Sequence, residues 1–157
     1  MGKSSGTPVT VSHLKSHIGF WMRLVSNHVS HAFAHKLERS GVTVAEWVVM
    51  REMYGESLTS PSIVAGHIGM TRGAITKLID RLLAKGYATR QESNGDRRYQ
   101  EIALTAAGRR LVPTLASLAD QNDAEFFRSL SRKERETILS ILQKLVQVHG
   151  LEKLPTE

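Results

Sequence analysis

The sequence predicts a mainly α-helical fold of about six helices carrying one small β-hairpin. Three observations carry that prediction. Apolar residues recur at three- and four-residue steps along most of the chain, the spacing of amphipathic helices. Between Gly86 and Gly108 this gives way to two short alternating strands around Asn94-Gly95, the strongest short-range hairpin signal a sequence offers. The tip of that hairpin carries Asp96, Arg97 and Arg98, side chains suited to phosphate or groove contacts rather than to a core.

The elements follow in order. Leu14, Ile18, Trp21, Val25, Val29 and Ala32 mark one long amphipathic helix from about Ser12 to Arg39, which Gly41 is placed to stop. Thr43 and Glu46 form a capping box for the next helix, with Val42 stapled onto Trp47, and this helix should reach about Tyr54. Ser60 as N-cap and Pro61 at the first helical position open a short helix through about Ile68. After Gly69-Met70, Thr71 caps a helix whose buried face is Ile75, Leu78, Ile79, Leu82 and Leu83. Its other face holds Arg72, Gly73, Thr76, Lys77, Asp80 and Arg81. Beyond the hairpin, Thr105 caps a long helix to about Phe127, with a kink expected at Pro113. Ser131 and Glu134 form a second capping box, opening a last helix with the stripe Ile138, Ile141, Leu142, Leu145 and Val148, ended by Gly150.

Two short helices joined by a glycine-containing turn, the second with a basic outer face, fit a helix-turn-helix. A hairpin with a basic tip directly after them makes it a winged helix-turn-helix, an architecture that grips duplex DNA. The charge is placed accordingly. The formal net charge is +6, and residues 71–110 hold nine basic residues against four acidic ones, a net of +5. An excess concentrated on one helix, the hairpin and the turn after it is the footprint expected for nucleic acid.

Composition excludes several other classes. At 157 residues, 41% hydrophobic and 23% charged, the chain suits one globular domain, 1–157. No apolar run approaches the ~20 residues of a membrane span. The polar start, MGKSSGTPVT, lacks a signal-peptide core, so a cytoplasmic protein is expected. The absence of cysteine removes disulfides, thiolate metal sites and thiol redox sensing. No phosphate-binding loop, dinucleotide fingerprint or nucleophile motif is present, so an enzyme is not expected. The first and the last two helices are more apolar than a small winged-helix core needs. They are expected to cover one another across a two-fold axis in a homodimer rather than to complete the core of a monomer.

The order of elements and the segment GDRRYQEIALTAAG, Gly95 to Gly108, resemble the MarR family of bacterial transcriptional regulators. Asp96, Arg98, Leu104, Thr105 and Gly108 stand where the family pattern expects them, as do Thr71, Thr76 and the Leu82…Lys85-Gly86-Tyr87 exit. The resemblance runs from about Ser12 to about Gly150. It implies one MarR-like domain, with dimerisation helices at 10–41 and 106–152 and a winged helix-turn-helix region at 42–105. It further implies a ligand-responsive repressor, homodimeric on a pseudopalindromic operator, with recognition helices in successive major grooves and wings in flanking minor grooves.

In that frame Arg98 is the wing arginine for the minor groove, Arg97 meets phosphate, and Asp96 pairs with one of them to hold the tip. Arg72 and Lys77 are suited to guanine, and the methyl of Thr76 to a thymine methyl. Gly73, unfavourable in a helix, would allow close backbone approach, and Arg81 would meet phosphate. Ser60 and Thr71 add hydroxyl and amide donors at helix N-termini. The resemblance places an effector, a small aromatic or phenolic acid, between the dimerisation helices and the winged region, with Trp21, His28, Trp47 and Met50 as lining. His28, His31 and His35 share one face of the first helix, which leaves a zinc-responsive regulator as an alternative, beside a nonspecific DNA-binding protein. Only Glu38 accompanies them as an acid on that helix, so no metal or cofactor is assigned.

Overall fold

The computed structural model describes residues 10–93 and 96–151, and the side chains among them outside residues 92–99. Six α-helices and one hairpin follow in the order α1 (Ile18–Leu37), α2 (Val44–Tyr54), α3 (Pro61–Ile68), α4 (Arg72–Ala84), β1 (Ala88–Ser93), β2 (Asp96–Leu104), α5 (Ala106–Phe126) and α6 (Arg132–His149). The caps lie where the sequence puts them. Thr43 with Glu46, and Ser131 with Glu134, form complete capping boxes. The hydroxyls of Ser60, Thr71 and Thr105 accept from the backbone N–H three residues on. Each satisfies a helical donor that would otherwise lack a partner. Helix α5 runs without interruption through Pro113.

The start of the first helix departs from expectation. Instead of a continuous helix from Ser12, a 3₁₀ turn at Leu14–Ser16 is followed by extended His17, and α1 begins at Ile18. Neither His13 nor His17 supplies a side-chain cap. The indole Nε1 of Trp21 donates to the Lys15 carbonyl at 2.9 Å, holding the turn against α1. At the other end α1 tightens into a 3₁₀ turn at Glu38–Ser40, and Gly41 ends it with φ at +63°.

The core gathers Phe33 and Leu37 of α1, Trp47, Val49, Met50 and Met53 of α2, Val64 of α3, and Ile75, Leu78, Ile79 and Leu82 of α4. Ala88, Ile102 and Leu104 of the hairpin, and Val112 and Leu115 of α5, complete it. The strands pair antiparallel, Ala88 opposite Leu104 and Arg90 opposite Ile102, with an irregularity at Glu92/Ser93. Thr59, before α3, exchanges two backbone hydrogen bonds with Ile102, fixing the hairpin base to the helix-turn-helix. The Asn94-Gly95 turn expected from the sequence lies outside the described residues.

One glycine is required by close packing. Thr105 N–H donates to the Tyr87 carbonyl at 3.0 Å, and its hydroxyl donates to the Gly86 carbonyl at 2.8 Å, pulling the first turn of α5 onto the entry to β1. A Cβ at Gly108 would stand 3.1 Å from the Tyr87 carbonyl carbon and closer still to its oxygen. Backbone on both sides leaves no flexible neighbour to yield. Gly108→Ala is therefore expected to cost about 3 kcal/mol, or roughly 6–12 °C in melting temperature for a chain of this size. An unchanged melting temperature would show that the contact relaxes freely.

The terminal helices are not buried. Every residue of α6 is exposed, and its apolar stripe includes Ile141 at 53% and Val148 at 67%. Ile18, Trp21, Met22 and Val25 of α1 are exposed as well, whereas Val29 and Ala32 are half-buried. Only the second half of α1 is held to the body. Asn122 of α5 donates to the Val29 carbonyl at 3.3 Å, and Lys36 pairs with Glu125 at 2.6 Å.

Candidate nucleic-acid interface

Helix α4 divides cleanly. Ile75, Leu78, Ile79 and Leu82 are buried, Leu83 is half-buried, and Arg72, Gly73, Thr76, Lys77, Asp80 and Arg81 are exposed. The turn that sets α4 against α3 depends on Gly69, buried and at φ +78°, a left-handed conformation that favours glycine. Thr71 is exposed at the N-cap, and its Oγ1 accepts from Ala74 N–H at 3.2 Å. Thr76 Oγ1 donates to the Arg72 carbonyl at 2.8 Å, which commits its proton to the helix and leaves the methyl as outward chemistry. Gly73 faces open space, with nothing within 4 Å of where a Cβ would stand. The fold itself gives no reason for a glycine there. Ser60, half-buried at the start of α3, accepts from Ile63 N–H at 3.3 Å.

Asp96, Arg97 and Arg98 open β2. Their side chains, and the pairing expected of Asp96, lie outside the described residues.

The structure redistributes the basic excess counted along the sequence. Of the seven cations between 71 and 110 whose side chains are described, three are engaged inside the protein. Lys85 Nζ reaches both Glu46 carboxylate oxygens, at 2.7 and 2.9 Å, and the Gly41 carbonyl at 2.7 Å. Arg109 donates to the Tyr54 carbonyl at 3.2 Å and the Glu56 carbonyl at 2.5 Å, tying α5 to the end of α2. Arg90 of β1 pairs with Asp80 of α4 at 2.7 Å. Glu46 is wholly buried. Burial by itself would raise its pKa, but the hydrogen bonds from Lys85 and from Thr43 N–H, with the ammonium charge, outweigh this and hold it below the ordinary value. Glu46 is visible in the sequence as a capping residue. Nothing local announces that Lys85, just past the end of α4, closes on it. Arg72, Lys77 and Arg81 remain exposed together on α4.

The candidate effector residues are divided between surface and interior. Trp21 and His28 stand exposed on α1, with Trp21 edge-on to Phe20. Trp47 packs edge-to-face against Phe33 in the core, and Met50 is fully buried. Of the three histidines, His31 and His35 meet, Nε2 to Nε2 at 3.0 Å, and Glu38 takes the Nδ1 side of His35 at 2.7 Å. Among the described residues no group of three or more His, Cys, Asp or Glu is arranged to hold a metal ion.

A short helix, a glycine turn, a basic-faced helix and a hairpin pinned to their base together define a winged helix-turn-helix protein. Residues 40–98 match the family model described as MarR family. Over 135 residues the chain is 24% identical to the HTH-type transcriptional regulator SarZ of Staphylococcus haemolyticus, covering 86% of this chain and 90% of that protein. Within residues 40–98 the chain is similar to the MarR family. Solved structures share the fold. A variant of E. coli MarR complexed with operator DNA matches with a TM-score of 0.78 at 22% identity, covering 86% of this chain and 99% of that one. The S. aureus MepR–DNA complex matches with 0.77 at 22%, covering 84% and 98%. Bordetella bronchiseptica BpsR, whose DNA binding is described as regulated by 6-hydroxynicotinic acid, matches with 0.79 at 24%, covering 87% and 97%.

Proposed function

We propose that the protein is a sequence-specific, DNA-binding transcriptional regulator that grips a pseudopalindromic operator as a homodimer. The observation that carries this is the exposed face of α4. Arg72, Gly73, Thr76, Lys77 and Arg81 share it, Lys85 and Arg90 nearby are engaged internally, and a hairpin with two further arginines stands beside it. Arg72 and Lys77 read bases, Thr76 offers its methyl, and Arg81, Arg97 and the N-termini at Ser60 and Thr71 contact phosphate. Arg98 enters the minor groove, and Asp96 pairs with Arg97 or Arg98 to hold the tip. The segments 10–41 and 106–152 are the dimerisation helices, and 42–105 is the DNA-binding region. The uncovered apolar faces of α1 and α6 support that division.

MarR and MepR are described bound to DNA, and BpsR with an aromatic acid effector. The same class of small aromatic or phenolic effector is proposed here, entering where α1 meets the winged region near Trp21, His28, Trp47 and Met50. It acts by biasing the spacing of the two recognition helices. Among the described residues no helix is long and apolar enough to cross a membrane.

Selection of bound duplexes from random genomic fragments at near-physiological salt tests the proposal. Enrichment of a pseudopalindrome with half-sites about 10 bp apart supports it. Retention without a motif, steeply salt-dependent, would leave only a nonspecific backbone binder.

Individual contacts are then separable. Lys77→Ala should weaken the selected duplex by about 1–3 kcal/mol more than a random one; equal losses would demote Lys77 to a phosphate contact. Arg98→Ala should weaken operator binding with little change in thermal stability, and an unaltered binding constant would remove the wing from the mechanism. Gly73→Ala should have opposite effects on fold and binding. Helix propensity favours alanine by ~1 kcal/mol, while a methyl on the DNA-facing backbone weakens affinity. A variant at once more stable and equally tight would end the close-approach role.

A further inference from the structure

The described ties of the hairpin to the body lie at its base. Thr59 exchanges backbone hydrogen bonds with Ile102, Thr105 N–H bonds to Tyr87, and opposite Ile102 the guanidinium of Arg90 reaches back to Asp80 on α4 at 2.7 Å. This last tie differs in kind from the others. It links the wing directly to the exposed face of the recognition helix, through side chains rather than backbone. Its carboxylate is half-exposed, the setting in which ion pairs add little to stability. Arg90 Nε is buried without a hydrogen-bond partner among the described residues, which disfavours the arrangement. A tie of little net benefit to folding, placed between the two DNA-facing elements, has positioning as its natural role.

We infer that Asp80 and Arg90 are positioning residues that fix the angle between the wing and α4, and so the spacing between minor-groove and major-groove contacts. Lever length makes the angle matter. Arg98 stands four residues beyond Ile102 on β2, about 13 Å along the strand. A swing of roughly 10° at the base therefore shifts Arg98 by about 2 Å, enough to miss a groove into which it must fit. Neither residue is assigned a contact with DNA; each acts through Arg97 and Arg98. The inference rests on the DNA-binding function proposed above.

The chain has no cysteine, so spin labels attach only where cysteines are introduced. Ala84→Cys at the end of α4 and Gln100→Cys on β2, both exposed positions, report the helix–wing distance in the free protein. Asp80→Asn and Arg90→Gln should each broaden that distance distribution while leaving the melting temperature nearly unchanged. Each should also weaken the duplex selected by the wild-type chain by about tenfold. The exchanged pair, Asp80→Arg with Arg90→Asp, should narrow the distribution again and recover most of the affinity.

Single variants as narrow as wild type would overturn the inference, as would broadening without loss of affinity. An exchanged pair as broad as the single variants would show that charge pairing is not the tie. A narrow exchanged pair that still binds weakly would make Arg90 a direct contact instead. If the wild-type chain selects no duplex at all, the regulator reading fails by itself, and the distances in the free protein still decide whether the pair holds the wing.

Discussion

The paired substitution Ile141→Glu and Leu145→Glu is expected to convert the protein to a monomer and to cut its affinity for the selected duplex at least about 100-fold. Both side chains lie in the exposed stripe of α6, and none of that helix is buried within the protomer. Burying an aliphatic side chain of this size is worth about 1.5–3 kcal/mol, and the stripe Ile138, Ile141, Leu142, Leu145 and Val148 offers five on each copy. In the proposed dimer, carboxylates there put like charges across the two-fold axis, where they must be desolvated or the seam opened. A monomer reads one half-site and forgoes the effective concentration that makes the second contact intramolecular. The protomer core does not include these residues, so the near-ultraviolet signal of Trp47 against Phe33 should persist. Sedimentation separates the outcomes. A variant that remains dimeric places the seam elsewhere, and a monomer that binds as tightly as wild type removes the two-half-site model.

Lys85→Met is expected to destabilise the fold by about 3 kcal/mol at neutral pH. Methionine keeps the packing of the stem but strands the carboxylate of Glu46, whose side chain is 1% exposed, beside a single backbone donor from Thr43. The pH dependence distinguishes this cause from lost packing. In the wild-type protein Glu46 is held below its ordinary value of 4.5. Its contribution is therefore complete above that value and is lost as pH falls through the lower folded value. Without Lys85, burial dominates and raises the folded pKa above the unfolded one, so protonation relieves the variant as pH falls. The gap between the two proteins should narrow on acidification. Urea unfolding at pH 7 and near pH 4 reads it directly, and a constant gap would mean that only packing was lost. Glu46→Gln should be milder, since an amide oxygen can still accept from Lys85 and from Thr43 N–H.

The elements were legible where signals are local. Caps at Thr43, Ser60, Thr71, Thr105 and Ser131, and the stop at Gly150, act within one turn of a helix, and the structure shows all of them. The division of α4 into a buried and a basic face follows from a single helical period. The start of α1 differs from the sequence expectation because apolar spacing continues through Leu14 while the helical backbone does not. The break at His17 is held by a bond from Trp21 to Lys15, which periodicity does not register.

By itself, then, the sequence determined the order of elements, the helix-turn-helix with its hairpin, the face of α4 that turns outward and the apolar surplus of the terminal helices. Each depends on residues a few positions apart. Tertiary structure alone decided which cations are available. Lys85, Arg90 and Arg109 are indistinguishable in sequence from Lys77 or Arg81, yet they close on Glu46, Asp80 and the carbonyls of Tyr54 and Glu56. It also decided that Trp47 and Met50 are core while Trp21 and His28 are surface. The physical reason is one: a charge or an aromatic ring carries no mark of its partner, and partners distant in sequence are chosen only when the chain has packed.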